Sequence, residues 1–215
     1  MSNLQHFIEG FRRFQQQLYR DNERLAAKLV RGQNPKVLVI SCSDSRVDPA
    51  LLTGCSPGDI FTVRNVANLV PPYESDNAYH GVSAALEYAV CYLRVKDIIV
   101  LGHSGCGGIA GLLGAADGEM LGEFVGRWVD IAAAARERAL AKVEAGNENE
   151  LRSVCEQEAI LTSLENLRTF PWIEKGVDAG SLQLHGWYFE IETGQLLGYD
   201  ATTERFETLV EEHSS

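Results

Sequence analysis

Val37-Leu-Val-Ile-Ser-Cys-Ser-Asp-Ser-Arg46 and Ile98-Ile-Val-Leu-Gly-His-Ser-Gly-Cys-Gly-Gly108 decide how the chain is organised. Each opens on a short β-branched apolar run, Val37 to Ile40 and Ile98 to Leu101, and each leads into a segment with a helical pattern. Strands that alternate with helices over most of a chain build a mainly parallel sheet with helices on its faces. The two strand ends then deliver Cys42, His103 and Cys106 to the crevice beyond the carboxyl ends of neighbouring strands, where α/β proteins bind ligands.

Working outward, residues 3 to 31 read as one long amphipathic helix or two, with Leu4, Phe7, Phe11, Phe14 and Leu18 at three- and four-residue spacing. This aromatic stripe needs cover from its own domain or from a second subunit. Gly32 to Pro35 breaks the helix. After the first strand, Asp48-Pro49 reads as an N-cap followed by proline at the first helical position. Ile60 to Val63 is a second strand, and Arg64 to Gly81 a long loop with enough apolar residues to be ordered over a site. Residues 82 to 94 have helical periodicity, Asp97 to Leu101 is a strand, and a helix starts at Gly107 or Gly108. Further helices are expected over about 121 to 145 and about 149 to 168. The tail reads as a strand within Leu182 to Ile191, a Thr193-Gly194 turn, and an antiparallel edge strand over Gln195 to Tyr199. The expectation is one α/β domain over 1–215, with residues 1–33 as an N-terminal helical arm.

Composition narrows the function. The 215 residues carry a formal charge of −11, which argues against nucleic acid or an anionic membrane surface as partner. No apolar run approaches the ~20 residues that cross a bilayer. The first 18 residues lack the apolar core of a signal peptide, so the expected location is the cytoplasm. Five scattered cysteines do not read as a disulfide framework; metal binding or burial is the expected use.

Zinc favours thiolate and imidazole, and His103-x-x-Cys106 in a glycine-rich loop lets two side chains reach one ion. Alone, that spacing is weak; Cys42 at a separate strand end, followed by Asp44 and Arg46, makes the set specific. Three protein ligands leave a tetrahedral position for water, the mark of a catalytic zinc. Two thiolates offset the ion's charge, so the water is less acidified than on a zinc with three histidines, and activity should rise with pH through or above neutrality. Asp44 is placed to orient that nucleophile, and Arg46 to keep Asp44 ionised and off the metal.

At these residues the chain resembles the β-class carbonic anhydrases. The resemblance rests on Cys42-Ser-Asp-Ser-Arg-Val47, Arg64-Asn-Val-Ala-Asn68, Ala84-Ala-Leu-Glu-Tyr-Ala-Val90 and Gly102-His-Ser-Gly-Cys-Gly-Gly108, and runs from about residue 30 to the final hairpin. It implies reversible hydration of carbon dioxide to bicarbonate and a proton by a zinc-bound hydroxide, with one zinc on Cys42, His103 and Cys106 and the Asp44–Arg46 pair beside it. It also implies a mixed sheet and an obligate dimer, often assembled further, whose N-terminal helices wrap the partner. Within the family the plant-like group is most similar: Gln33, Phe61, Val66, Tyr88 and Gly107 fall where its substrate pocket is lined. Val39 stands where the bicarbonate-inhibited group has tryptophan, and Tyr92 where plant members have a histidine near the site. Aromatic and aliphatic walls suit a small substrate without a strong polar handle. Two other readings use the same residues: hydrolysis of carbonyl sulfide or carbon disulfide, and a non-catalytic zinc scaffold closed by Asp44. His80, in the long loop, is a candidate for proton export.

Overall fold

The computed structural model describes residues 3–76, 78–114 and 122–211. It divides into two compact units, Met1–Asn34 and Pro35–Ser215. In the first, helix α1 (Asn3–Gln15) runs into a π-helical turn, Gln16–Arg20, and stops. Asn22 leaves helical geometry at φ −140° and its side chain accepts the Leu25 N–H at 3.1 Å, which caps a second helix, α2 (Glu23–Val30). The expected 3–31 segment is thus two helices.

The second unit is built on a six-stranded sheet: β1 (Val37–Cys42), β2 (Ile60–Asn65), β3 (Asp97–His103), β4 (Gln183–Phe189), β5 (Leu196–Asp200) and β6 (Arg205–Val210), in the order β2-β1-β3-β4-β5-β6. The first four strands are parallel, and β5 and β6 continue antiparallel. The helices between them are α3 (Pro49–Thr53), α4 (Gly81–Glu87) with a π-helical extension over Tyr88–Leu93, α5 (Gly107–Gly114), α6 (Val125–Val129), α7 (Ala133–Lys142), α8 (Glu148–Arg168) and α9 (Pro171–Asp178).

Alternation along the central strands sorts the core. Leu38 and Ile40 of β1 join Ile98 and Val100 of β3 against Ile160 and Leu167 of α8 and Ile173 of α9. Val39, Ile99 and Leu101 face the other way, with Trp187, Phe189 and Leu196. A third cluster gathers at the carboxyl ends of the strands, where Cys42, Val47, Ala67 and Cys106 pack with α5, α7 and Cys155 and Ala159 of α8. The metal-binding candidates therefore sit at the edge of packed core, on strand ends anchored at both faces.

Two expectations change. The sheet gains a second antiparallel strand, β6, joined to β5 by a turn in which Glu204 takes φ 55° without a glycine to announce it. The single helix expected from 121 to 145 is broken: α6, a 3-10 turn over Asp130–Ala132, and α7, with Leu121 outside the described residues. The halves follow different partners. Trp128 of α6 donates its indole N–H to the Val66 carbonyl at 2.7 Å, whereas Arg138 of α7 is bound to Glu158 of α8 at 2.6 Å.

Candidate metal centre

Parallel register brings β1 and β3 to the same level, with Ser41 opposite Leu101, so Cys42 and His103 leave the sheet side by side. Cys106 returns from the loop that ends at α5. The ligand atoms of Cys42, His103 and Cys106 lie within 4.8 Å of one another, all buried. The two sulfurs are 4.0 Å apart. Tetrahedral zinc with Zn–S bonds of about 2.3 Å separates two thiolates by about 3.8 Å, so the pair fits one ion.

The imidazole is oriented for the same task. Nδ1 of His103 meets the Ser104 carbonyl at 2.9 Å, which places the proton on that nitrogen. Nε2 is buried and has no hydrogen-bond partner. An orphaned lone pair there is costly unless a cation takes it.

The thiols tell the same story. The Cys106 thiol hydrogen-bonds Cys42 and, with help from His103 and the Asp44 N–H and against burial, draws its pKa down to about 4. The same contact, together with burial, pushes Cys106 up. One thiolate forms readily and its charge opposes a second; a divalent cation removes that conflict.

Asp44 stands beside this group and is held by Arg46. Its Oδ1 accepts the Arg46 N–H and Nε–H, each at 2.9 Å, and Oδ2 accepts Nη2–H at 2.7 Å. These bonds to Arg46 hold its carboxyl well below the usual carboxylate range. Oδ2 remains 4.0 Å from His103 Nε2, adjacent to the metal group without belonging to it. Arg46 is braced by a further bond from Nη2 to the Gly105 carbonyl at 3.0 Å. Gly105 has φ 68°, the left-handed conformation that turns that carbonyl toward the guanidinium.

Of the other predicted residues, Val66 and Gly107 lie beside the centre. Val66 follows β2 in a 3-10 turn over Val66–Asn68, and Gly107 opens α5. The next residue, Gly108, is packed so tightly that a Cβ would lie 2.8 Å from Val66 Cγ1. Phe61 and Tyr88 form a ring pair with centroids 5.9 Å apart. Phe61 pairs with Leu38 and Asn65 with Cys42, so Phe61 lies four residues, about 13 Å, down the strand from the level of the cysteine. Gln33 belongs to the N-terminal unit and is exposed. His80 precedes α4 with Nε2 2.6 Å from Asp76. At the start of the long loop Asn65 brackets Leu69 through bonds to its N–H and carbonyl at 2.9 and 2.8 Å.

Sequence reasoning named Arg64 only within the family motif, with no role, and passed over Glu156. Arg64 donates to the carbonyls of Cys42 and Asp44 at 3.1 and 2.7 Å and to Asp48 at 3.0 Å, clamping the loop that follows Cys42. A charged residue near the end of a parallel strand was its signal. Glu156 is a buried carboxylate, pushed up by burial, beneath Cys106. Its place beside Cys155 and one turn before Ile160 was the available hint.

A parallel-sheet crevice holding two thiols, an imidazole with a free lone pair and a neighbouring carboxylate pinned by arginine defines a metal-dependent enzyme of the α/β class. The family model described as carbonic anhydrase matches residues 37–196. A carbonic anhydrase of Synechocystis sp. is 39% identical over 203 residues, 94% of this chain and 73% of that protein; one of Pseudomonas aeruginosa is 39% identical over 208 residues, 97% and 93%. Among solved structures, the β-carbonic anhydrase CcaA superposes with a TM-score of 0.88 at 39% identity, covering 100% of this chain and 94% of that one. A tetrameric β-carbonic anhydrase of Sordaria macrospora superposes at 0.77 and 28% identity, covering 99% and 100%. The chain belongs to the carbonic anhydrase family, in its β class.

Proposed function

We propose that the chain hydrates carbon dioxide reversibly to bicarbonate and a proton at one zinc ion held by Cys42, His103 and Cys106, with Asp44 and Arg46 as the catalytic pair. The observation that carries this is the convergence of three buried ligand atoms within 4.8 Å while Asp44, next to them, is bonded to Arg46 through both carboxylate oxygens. Zinc bound there supplies Lewis acidity that makes a water nucleophilic near neutral pH. The chain's own residues do the rest. Cys42 and Cys106 neutralise the ion's charge, and His103 donates through Nε2. With zinc bound, Asp44 would accept a hydrogen bond from the nucleophile and orient it toward the substrate carbon, and Arg46 would keep that carboxylate from closing on the metal. The same arginine contact counts against the scaffold reading, which needs Asp44 as a permanent ligand.

Val66 and Gly107 form the near wall of the substrate pocket. Phe61, Tyr88 and Gln33 are assigned to the same pocket on family resemblance, the ring pair standing about 13 Å down the strand from the level of Cys42 in its own chain. Self-association through the Met1–Asn34 arm is supported by the exposure of Leu4, Phe7 and Phe11 and by the tetrameric relative. A cytoplasmic setting is supported by five unpaired cysteines. No helix among the described residues is long and apolar enough to cross a membrane.

Stopped-flow hydration of carbon dioxide by zinc-loaded protein, from about pH 7 to 9 to bracket the ionisation of a metal-activated water, tests the proposal. The expected result is a rate that climbs with pH and is lost in Cys42→Ser together with the zinc. A folded, zinc-loaded protein with no hydration above background at any pH refutes it.

A further inference from the structure

Three successive residues of the loop between β3 and α5 are each tethered from a different element. Ser104 is held by the end of β4: its N–H donates to the Phe189 carbonyl at 3.0 Å and its hydroxyl to Glu190 at 2.5 Å. Gly105 is held by Arg46 at 3.0 Å. Cys106 is held by Glu156 of α8, whose Oε1 accepts the Cys106 N–H at 2.8 Å.

This third tether is unusual in cost. Glu156 is 3% exposed, and its nearest cation, Arg152 Nε, stands 3.7 Å away. A carboxylate at that depth is expensive unless its oxygens are occupied. Both are: Oε2 accepts the hydroxyl of Tyr188, itself 2% exposed on β4, at 2.8 Å. The Cys106 N–H, in turn, has no alternative partner in the helix it precedes. Its residue already serves α5 through its carbonyl, which accepts the Ala110 N–H at 3.0 Å. The peptide that carries the third ligand thus depends on one side-chain oxygen, and that oxygen is fixed by a hydroxyl from the neighbouring strand.

We propose that Glu156 is a positioning residue for the ligand Cys106: its carboxylate holds the Cys106 peptide where Sγ stands 4.0 Å from Cys42 Sγ, and Tyr188 fixes the rotation of that carboxylate. The inference rests on the zinc reading above. Position of the acceptor, rather than its charge, is what this role requires. Glutamine keeps the acceptor in place, with its amide N–H donating to the Tyr188 oxygen; aspartate keeps the charge and withdraws the acceptor by one methylene.

The test is the rate at which zinc-loaded protein surrenders its metal to an excess of a chromogenic chelator. Glu156→Asp and Glu156→Ala should lose zinc about 10- to 100-fold faster than wild type, the range for removing a partner that orients a metal ligand. Glu156→Gln should stay near wild type. Glu158→Ala is the control: Glu158 lies two residues on and binds Arg138 and Lys142, each at 2.6 Å, so its loss should lower the melting temperature and leave zinc loss unchanged. Zinc loss at the wild-type rate in both Glu156→Asp and Glu156→Ala overturns the inference, as does Glu156→Gln losing zinc as fast as Glu156→Ala. Should Glu156→Ala fail to fold, the contrast between aspartate and glutamine decides. Wild type that retains no zinc refutes the zinc reading itself, whereas equal retention by every variant refutes only the role of Glu156.

Discussion

Asp44 accepts three hydrogen bonds from Arg46, and the sign of the effect on its ionisation follows. Its folded pKa lies below the ordinary carboxylate value, so the stability it contributes is present above that value and is lost only as pH falls through the lowered folded pKa. Near neutrality Asp44 is ionised throughout. A rise in hydration between pH 7 and 9 therefore belongs to another group, and the half-maximal pH of Asp44→Asn should shift little. The same variant should keep its zinc while kcat/KM falls by about 10²-fold, the lower range for a positioned acid–base group. Metal analysis beside stopped-flow kinetics checks both, and normal hydration by Asp44→Asn removes the orienting role. The pairing was legible in the sequence because residues two apart after a strand end share a tight turn. The brace from Arg46 to Gly105 was not, since those residues are 59 positions apart and meet only when β1 and β3 are in register.

At the scale of elements, the centre depends on how closely α5 sits against the 3-10 turn after β2. A Cβ on Gly108 would lie 2.8 Å from Val66 Cγ1 and 2.9 Å from Ala67 Cβ, inside normal contact. Gly108→Ala should therefore cost about 1–3 kcal/mol of stability, the range for overpacking, read as a lower denaturant midpoint with an unchanged m-value. A midpoint equal to wild type would mean that the turn yields freely. Elements with uninterrupted apolar runs, β1 and β3, were readable because burial on both faces leaves one kind of residue. β6 was not: of Arg205-Phe-Glu-Thr-Leu-Val210 only Phe206 is even half-buried, the pattern of an exposed edge. The break between α6 and α7 was equally hidden, because Asp130, Ile131 and Ala132 are all tolerated in a helix and tertiary contacts at Trp128 and Arg138 pull the halves apart.

Over the whole molecule, each of the two units exposes large apolar side chains that the proposed self-association would cover. Phe7 is 71% exposed and Phe11 63%, and Tyr92 stacks on half-exposed Tyr88 beside Phe61. Light scattering should give a mass at a multiple of 23.7 kDa for the wild type. The double variant Phe7→Glu, Phe11→Glu should shift toward the single-chain mass, because two charges cannot be buried unpaired at a contact. If the proposed activity depends on that association, hydration should fall with the mass. A variant of unchanged mass removes the arm from the assembly.

By itself the sequence determined the chemistry: donor types, the alternation of strand and helix, and an aspartate–arginine pair adjacent to a thiolate. These are properties of side chains and of spacing within a few residues. Only the tertiary structure decided that Cys42 and Cys106, 64 positions apart, stand 4.0 Å from each other, that Arg46 is braced on the second loop, and that buried Glu156 accepts the Cys106 N–H. Those distances follow from strand register and from the packing of α8 against the sheet. They sum contacts spread along the whole chain, which no local stretch contains.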